Sequence, residues 1–226
     1  MTRPSLGMLL SFNGGYVDTM GFLALAGLFT AHVTGNFVTL GAALAFGTTG
    51  IIAKLLALPV FCVVILLSRL LSLRLKLKGR RAIVTLLGLK LVLLTIAAIA
   101  AVVHGPVSNG DSPAAIAIGM TLVTAMAIQN GLHRVHLSKL PPTTLMTGTT
   151  TQIMVDLADL MSGAATDHTR ELKDRLKRMS SSLLSFALGC AAAALAFVAS
   201  PTWCFVVPPV LACLSLLARS GDPSEV

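Results

Sequence analysis

The stretch from Ile51 to Arg81 reads IIAKLLALPVFCVVILLSRLLSLRLKLKGRR, and it decides the class of the fold. Its first part, Ile51 to Leu73, is an almost unbroken apolar run whose only charges are Lys54 and Arg69. A helix of that length crosses ~30 Å of hydrocarbon at ~1.5 Å per residue. The second part carries Arg74, Lys76, Lys78, Arg80 and Arg81. A cluster of cations at the end of an apolar run marks the cytoplasmic end of a membrane span.

Working outward, similar runs fill the rest of the chain. Ala82 to Val103 follows directly, and the polar turn from His104 through Gly105 and Pro106 to Ser112 closes the first half. Before Ile51 lie a long segment, Leu6 to Phe29, and a short one, Thr34 to Phe46. The second half repeats the order, with a long segment from Pro113 to Leu132, a short one from Leu145 to Ser162, and two more from Ser182 to Ala199 and Trp203 to Leu217. The short segments fall below the length that spans hydrocarbon comfortably. The tail from Ser220 to Val226 is polar and reads as frayed.

The composition agrees. Of 226 residues, 55% are hydrophobic and only 12% are charged, with a mean hydropathy of +0.86. Soluble domains carry roughly 25% charged residues. The net charge of +8 and pI near 9.9 would suggest nucleic acid in a soluble chain. Here the cations sit between apolar runs, where anionic lipid headgroups account for them, so the lipid bilayer is the expected partner and nucleic acid is not. Cys62, Cys190, Cys204 and Cys213 lie singly in apolar runs, without metal-ligand spacing, and read as small buried hydrophobes. Met1 to Arg3 followed by Leu6 to Leu10 resembles the start of a signal peptide, but the run continues into Phe22 to Phe29, so a retained first span is expected.

The two halves, about 1–112 and 113–226 of a single membrane domain, read as an internal repeat. Thr34-Gly35-Asn36 answers Thr147-Gly148-Thr149, and Asp18 answers Gln129-Asn130. Charge places the topology. If both short segments enter and leave on one side, Arg3, the basic loop, Arg134, Lys139, the cluster from Arg170 to Arg178 and Arg219 all fall inside; Lys54 alone falls outside, and Lys90 lies within a span. If both short segments span, the cations split evenly. The expectation is therefore an all-α polytopic bundle of about six spans plus two re-entrant half-helices, an inverted repeat with both termini cytoplasmic. A seven-span chain, in which the first short segment alone crosses, moves only Arg3.

The run Gly15-Tyr16-Val17-Asp18-Thr19-Met20-Gly21-Phe22-Leu23, continued by Phe29-Thr30-Ala31-His32-Val33-Thr34-Gly35-Asn36, resembles the signature of the YoaK family of bacterial inner-membrane proteins. Ala125-Met126-Ala127-Ile128-Gln129-Asn130, followed by Thr147-Gly148-Thr149, resembles its second motif. The resemblance covers nearly the whole chain. It implies an inner-membrane protein of about six spans and no established substrate.

Candidate functional residues are the polar ones at depth. Asp18 sits inside an apolar run, where an ionised carboxylate is costly. It reads as a proton or cation site with Lys90 as charge partner, or else as one half of a static pair. Thr34, Gly35 and Asn36, with Thr147, Gly148 and Thr149, open the short helices, whose N–H groups suit an anion or polar solute and which are expected to meet as one site near the bilayer centre. The alternative is that Thr34 and Thr147 simply cap helices. Gln129 and Asn130 read as neutral ligands or as glue between helices. Asp156 and Asp159 share a face and read as a solvated helix end or, alternatively, as lining an inner vestibule, His32, His133 and His136 as interfacial, and Asp167 to Arg178 as a helix on the lipid surface.

No GxSxG, HExxH or phosphate loop is present, and Ser185 and Ser215 have no base in the pattern, so no enzyme, metal or cofactor is expected. The leading reading is a transporter or channel for a small solute or ion, with its site at the repeat interface. The alternative is a non-transporting membrane component in assembly or stress response. Homo-oligomerisation is left open.

Overall fold

The apolar runs become helices in a computed structural model that describes residues 5–79, 81–163 and 169–220. Arg3, Arg80, Asp167 and the tail beyond Ser220 lie outside the described residues. The helices are α1 (Leu6–Ala24), α2 (Gly35–Phe46), α3 (Ile51–Leu77), α4 (Ala82–His104), α5 (Pro113–His136), α6 (Thr147–Met161), α7 (Thr169–Ala199) and α8 (Val207–Ser220), the last preceded by a 3₁₀ turn at Trp203–Val206. The order long, short, long occurs twice; the 23-residue α4 closes the first set and the 14-residue α8 the second.

Among the described residues four helices, α3, α4, α5 and α7, are long and apolar enough to cross a membrane. α1 has 19 residues, about 28 Å, but Asn13, Gly14, Gly15 and Asp18 dilute its apolarity. At 12 and 15 residues, α2 and α6 reach only about 18 and 22 Å.

The helix limits have local causes. Ser5 accepts the Met8 N–H and starts α1, and Ser112 accepts the Ala115 N–H ahead of Pro113 and starts α5. α1 stops at Ala24, short of the expected Phe29, because Ala26 and Gly27 take positive φ and reverse the chain. α7 corrects a second expectation. It is one helix of 31 residues from Thr169, so the cluster from Arg170 to Arg178 continues the span rather than forming a separate surface helix.

Glycines set the tightest crossing. α1 packs along α7. A Cβ on Gly15 would collide with the Phe186 carbonyl, and one on Gly189 with the Phe12 carbonyl. Only bare backbones fit at such a crossing.

Other pairs are α5 on α3, α4 and α1, α8 on α4 and α1, α3 on α4, α2 on α3, α6 on α7, and the 3₁₀ turn on α4 and α7. Tyr16, Met20, Leu94, Leu122 and Met126 are buried in the main apolar cluster, and Leu6, Leu10, Leu86 and Leu132 in a second.

The bundle has two distinct ends. At the basic end the Ser72 hydroxyl meets His136 Nε2 at 2.6 Å, joining the C-termini of α3 and α5. At the opposite end the Asp111 carboxylate accepts the Gly50 and Ile52 N–H groups, both at 2.8 Å, and caps α3. Partial burial works against the Asp111 charge. The N–H groups of Ile52, Gly50 and Ile51 and the nearby Lys54 outweigh it and hold the carboxyl below the usual carboxylate range. Lys54 Nζ donates to the carbonyls of Ala26 and Thr49 at 2.6 and 3.2 Å, which ties the chain reversal after α1 to the start of α3.

Candidate functional site

After Leu25 the chain runs back along α1. Phe29 comes beside Phe22, with ring centroids 4.9 Å apart. Asp18 Oδ1 accepts the backbone N–H groups of Thr30, Ala31 and His32 at 2.7, 2.8 and 3.4 Å, and the Thr30 hydroxyl at 3.3 Å. Asn36 closes the loop from its other side: its Oδ1 accepts the Phe29 N–H and its Nδ2 donates to the Phe29 carbonyl. So α2 starts level with Asp18, six residues or about 9 Å inside the end of α1, and then returns to the end from which the loop came.

The second half does the same from the basic end. His133 Nε2 lies 3.0 Å from the carbonyls of both Leu140 and Pro141. Gln129 Nε2 donates to Thr143 Oγ1, and the Thr144 hydroxyl donates to Asn130 Oδ1 at 2.6 Å. The loop thus runs back along α5 to the level of Gln129 before α6 begins. α6 returns to the basic end, where Arg175 of α7 grips the buried Asp156 through Nε and Nη2 at 2.8 and 2.6 Å. Asp156, expected on a solvated helix end, is inaccessible.

Several expected relations change. Asp18 and Lys90 do not form an ion pair. The returning loop presents its own N–H groups to Asp18, and Lys90 Nζ donates to Gln129 Oε1 instead. Thr34 and Thr147 do not cap through their side chains: Thr34 makes no such bond, and Met146 occupies the cap position of α6. The two short helices pack on α3 and α7, not on each other, because each is tied back to its own half. Ser185 and Ser215 donate to carbonyls of their own helices.

The two helix starts also differ. In α2 the N–H groups of Gly35, Asn36 and Phe37 are taken by the carbonyls of His32, Val33 and Thr34. In α6 the Thr149 hydroxyl is inaccessible and has no partner, while Gly148 stands in open space.

A polar cluster that the sequence reading passed over lies at the crossing of α1, α4, α5 and α8. Gln129 Nε2 also donates to the Leu10 carbonyl at 3.0 Å, so Gln129 bridges α1, Lys90 and the loop before α6. Asn13 Nδ2 donates to the Pro208 carbonyl, and Asn13 Oδ1 is buried without a partner. The Tyr16 hydroxyl donates to the Cys204 carbonyl at 3.0 Å. The signal for that bond was the Pro208-Pro209 pair, whose missing N–H groups leave upstream carbonyls in need of donors. Ser11 and Ser182 share a hydrogen bond of 2.6 Å, and Ser182 donates to the Pro142 carbonyl.

Ser182 also lines a cavity of about 380 Å³ at the basic end, with Ser5, Leu140, Asp174, Lys177 and Arg178. A smaller one of about 180 Å³ at the opposite end is lined mainly by apolar groups, among them Leu23, Ala101, Phe197 and Phe205.

Comparison with curated proteins and with solved structures returns no match. Residues 6–218 match the family described as "Protein of unknown function (DUF1275)", in keeping with the resemblance carried by the two motifs. The chain belongs to that family.

Proposed function

We propose that this chain moves a small solute or ion across the bacterial inner membrane, through a site where its two halves interlock. One observation carries the reading: the halves exchange helices. α1 packs on α7 while α5 packs on α3, α1 on α8 while α5 packs on α4, and each short helix on the third helix of its own half. Exchanging first-half helices for their second-half counterparts maps each of these contacts onto another.

That pattern supports an inverted repeat of six spans with two re-entrant segments, one dipping from each face. The basic end is then cytoplasmic, with both termini on that side. Polar groups lie at depth in both halves: Asn13, Lys90 and Gln129 at the crossing of the halves, Asp18 and Asn130 against the returning loops, with Gly148 and Thr149 opening the α6 dip. Polar side chains at such depth are costly and mark solute or ion pathways. A buried hydroxyl without a partner and a side-chain-free turn at the start of α6 suit a small polar or anionic solute.

A second reading, a non-transporting membrane component, draws support from Asp18 and Asn36. Both are occupied with loop backbone, which is a holding role.

The test is flux. Purified protein in liposomes is challenged with panels of small anions, cations and neutral solutes, under imposed pH gradients and membrane potentials. The transport reading expects solute-selective flux above protein-free liposomes that falls at least tenfold in Gly148→Leu. Folded protein that moves no member of any panel in either direction overturns it.

A further inference from the structure

We infer that Lys90 is a proton-binding site served from the basic end of the bundle only. Lys90 is fully buried near the middle of α4. Its side chain donates to a neutral acceptor, Gln129 Oε1. An ammonium held that way lacks the opposite charge that offsets desolvation.

Among the described residues no carboxylate faces it from any element packed on α4. α3 carries Lys54, Arg69, Arg74 and Lys76. α5 carries His133, Arg134 and His136. The 3₁₀ turn and α8 carry Cys204, Cys213 and Arg219. α4 itself adds only His104, at its far end. The one buried carboxylate of α1, Asp18, is engaged by the returning loop.

The cavities at the two ends are lined by other residues, so no described cavity offers a solute room at Lys90. A proton needs none. The exchange is balanced by water alone: the amine takes a proton from hydronium and releases water, and the ammonium reverses the step.

The hydrogen bonds give that exchange a direction. Gln129 Nε2 joins the Leu10 carbonyl and Thr143 Oγ1. Next to these along the chain stand Ser11 and Pro142, and both are bonded to Ser182, which lines the 380 Å³ cavity. The polar groups beside that cavity thus come within one residue of those that hold Gln129, joined there by the peptide links Leu10–Ser11 and Pro142–Thr143, and Gln129 acts as a positioning residue for the Lys90 amine. Toward the opposite end the neighbours along α4 and α5 are Leu94, Ala97, Leu122 and Met126, all buried and apolar, and on α1 the Asn13 amide and the Tyr16 hydroxyl donate to the Pro208 and Cys204 carbonyls rather than to Lys90 or Gln129.

This deepens the transport reading, on which a coupling role for the proton rests, but proton binding is measured separately. The protein is labelled with ¹⁵Nζ-lysine and placed in lipid vesicles with its orientation fixed. One of the seven lysine signals is assigned by its absence in Lys90→Arg, and again in Lys90→Met should the larger side chain disturb folding. The expected result is that this signal passes between amine and ammonium positions with pH, and follows the compartment facing the basic end.

A signal fixed in one form across the accessible pH range overturns the inference, and one that follows the other compartment overturns the route. A titrating Lys90 in a protein without flux leaves the proton site standing and removes the transport reading. Flux with a non-titrating Lys90 does the reverse.

Discussion

Asp18→Ala and Asp18→Asn separate a holding role from a charge-carrying one. Asp18 Oδ1 accepts two short backbone N–H bonds, at 2.7 and 2.8 Å, and two longer contacts. Alanine removes the acceptor and leaves the Thr30 and Ala31 N–H groups buried without partners. At roughly 1–3 kcal/mol for each orphaned group, the loss is about 2–6 kcal/mol. Asparagine keeps one carbonyl oxygen where Oδ1 stands and gives up only the charge assistance. The loss is then about 1–2 kcal/mol, reduced further because no ionised carboxylate remains to be buried.

For a chain of this size that is roughly 5–20 °C in Tm for alanine and a few degrees for asparagine. Thermal unfolding of the purified proteins in one detergent, followed by far-ultraviolet circular dichroism, reads both. The expected order is wild type, then asparagine, then alanine, with a clear gap before the last. An alanine variant as stable as wild type, or an asparagine variant that melts below it, would refute the assignment of Asp18 to the loop.

Two further outcomes follow from the packing and the opposite end. Gly189→Ala, whose new methyl meets the Phe12 carbonyl, should lower Tm by several degrees, for a cost of about 1–3 kcal/mol, while Gly88→Ala, with open space around it, should be neutral or stabilising by up to about 1 kcal/mol; equal effects would contradict the close α1–α7 crossing. Because Asp111 is held below the usual carboxylate range, its contribution is complete above that range and is lost as pH falls through its folded value. Asp111→Asn should therefore cost about 1 kcal/mol near neutral pH, and the difference from wild type should vanish in acid; a difference that grows on acidification contradicts the sign.

How much was legible in the sequence depends on which atoms do the holding. The apolar runs placed α3, α4 and α5 within a few residues, and the short segments at Thr34 and Leu145 became α2 and α6 with similar limits. The end of α1 was missed because Ala26 at positive φ is not a residue that announces a turn. The start of α7 was missed because alternating charge looked like a surface helix. A helix continues wherever nothing breaks it, and Arg175 finds its partner in Asp156, which the sequence offered only as part of a solvated helix end.

Asp18 stood out as a charge among apolar neighbours. What it binds was hidden, because the donors are backbone N–H groups that every residue carries. Asn13, Ser11 and Ser182 were overlooked for the opposite reason: neutral polar side chains are common in membrane helices, and only their convergence in space distinguishes these.

The architecture under the whole account is that each short helix dips inward and returns to the end it came from. Sided thiol labelling tests this most directly, using single cysteines at Lys139 and Ser162, flanking the second dip, and at Thr48 and Asn109, at the opposite end, in a chain whose four native cysteines are replaced. The account predicts that an impermeant reagent reaches positions 139 and 162 from the cytoplasmic side only, and positions 48 and 109 from the outer side only. Labelling of 139 and 162 from opposite sides would make α6 a true span and contradict it.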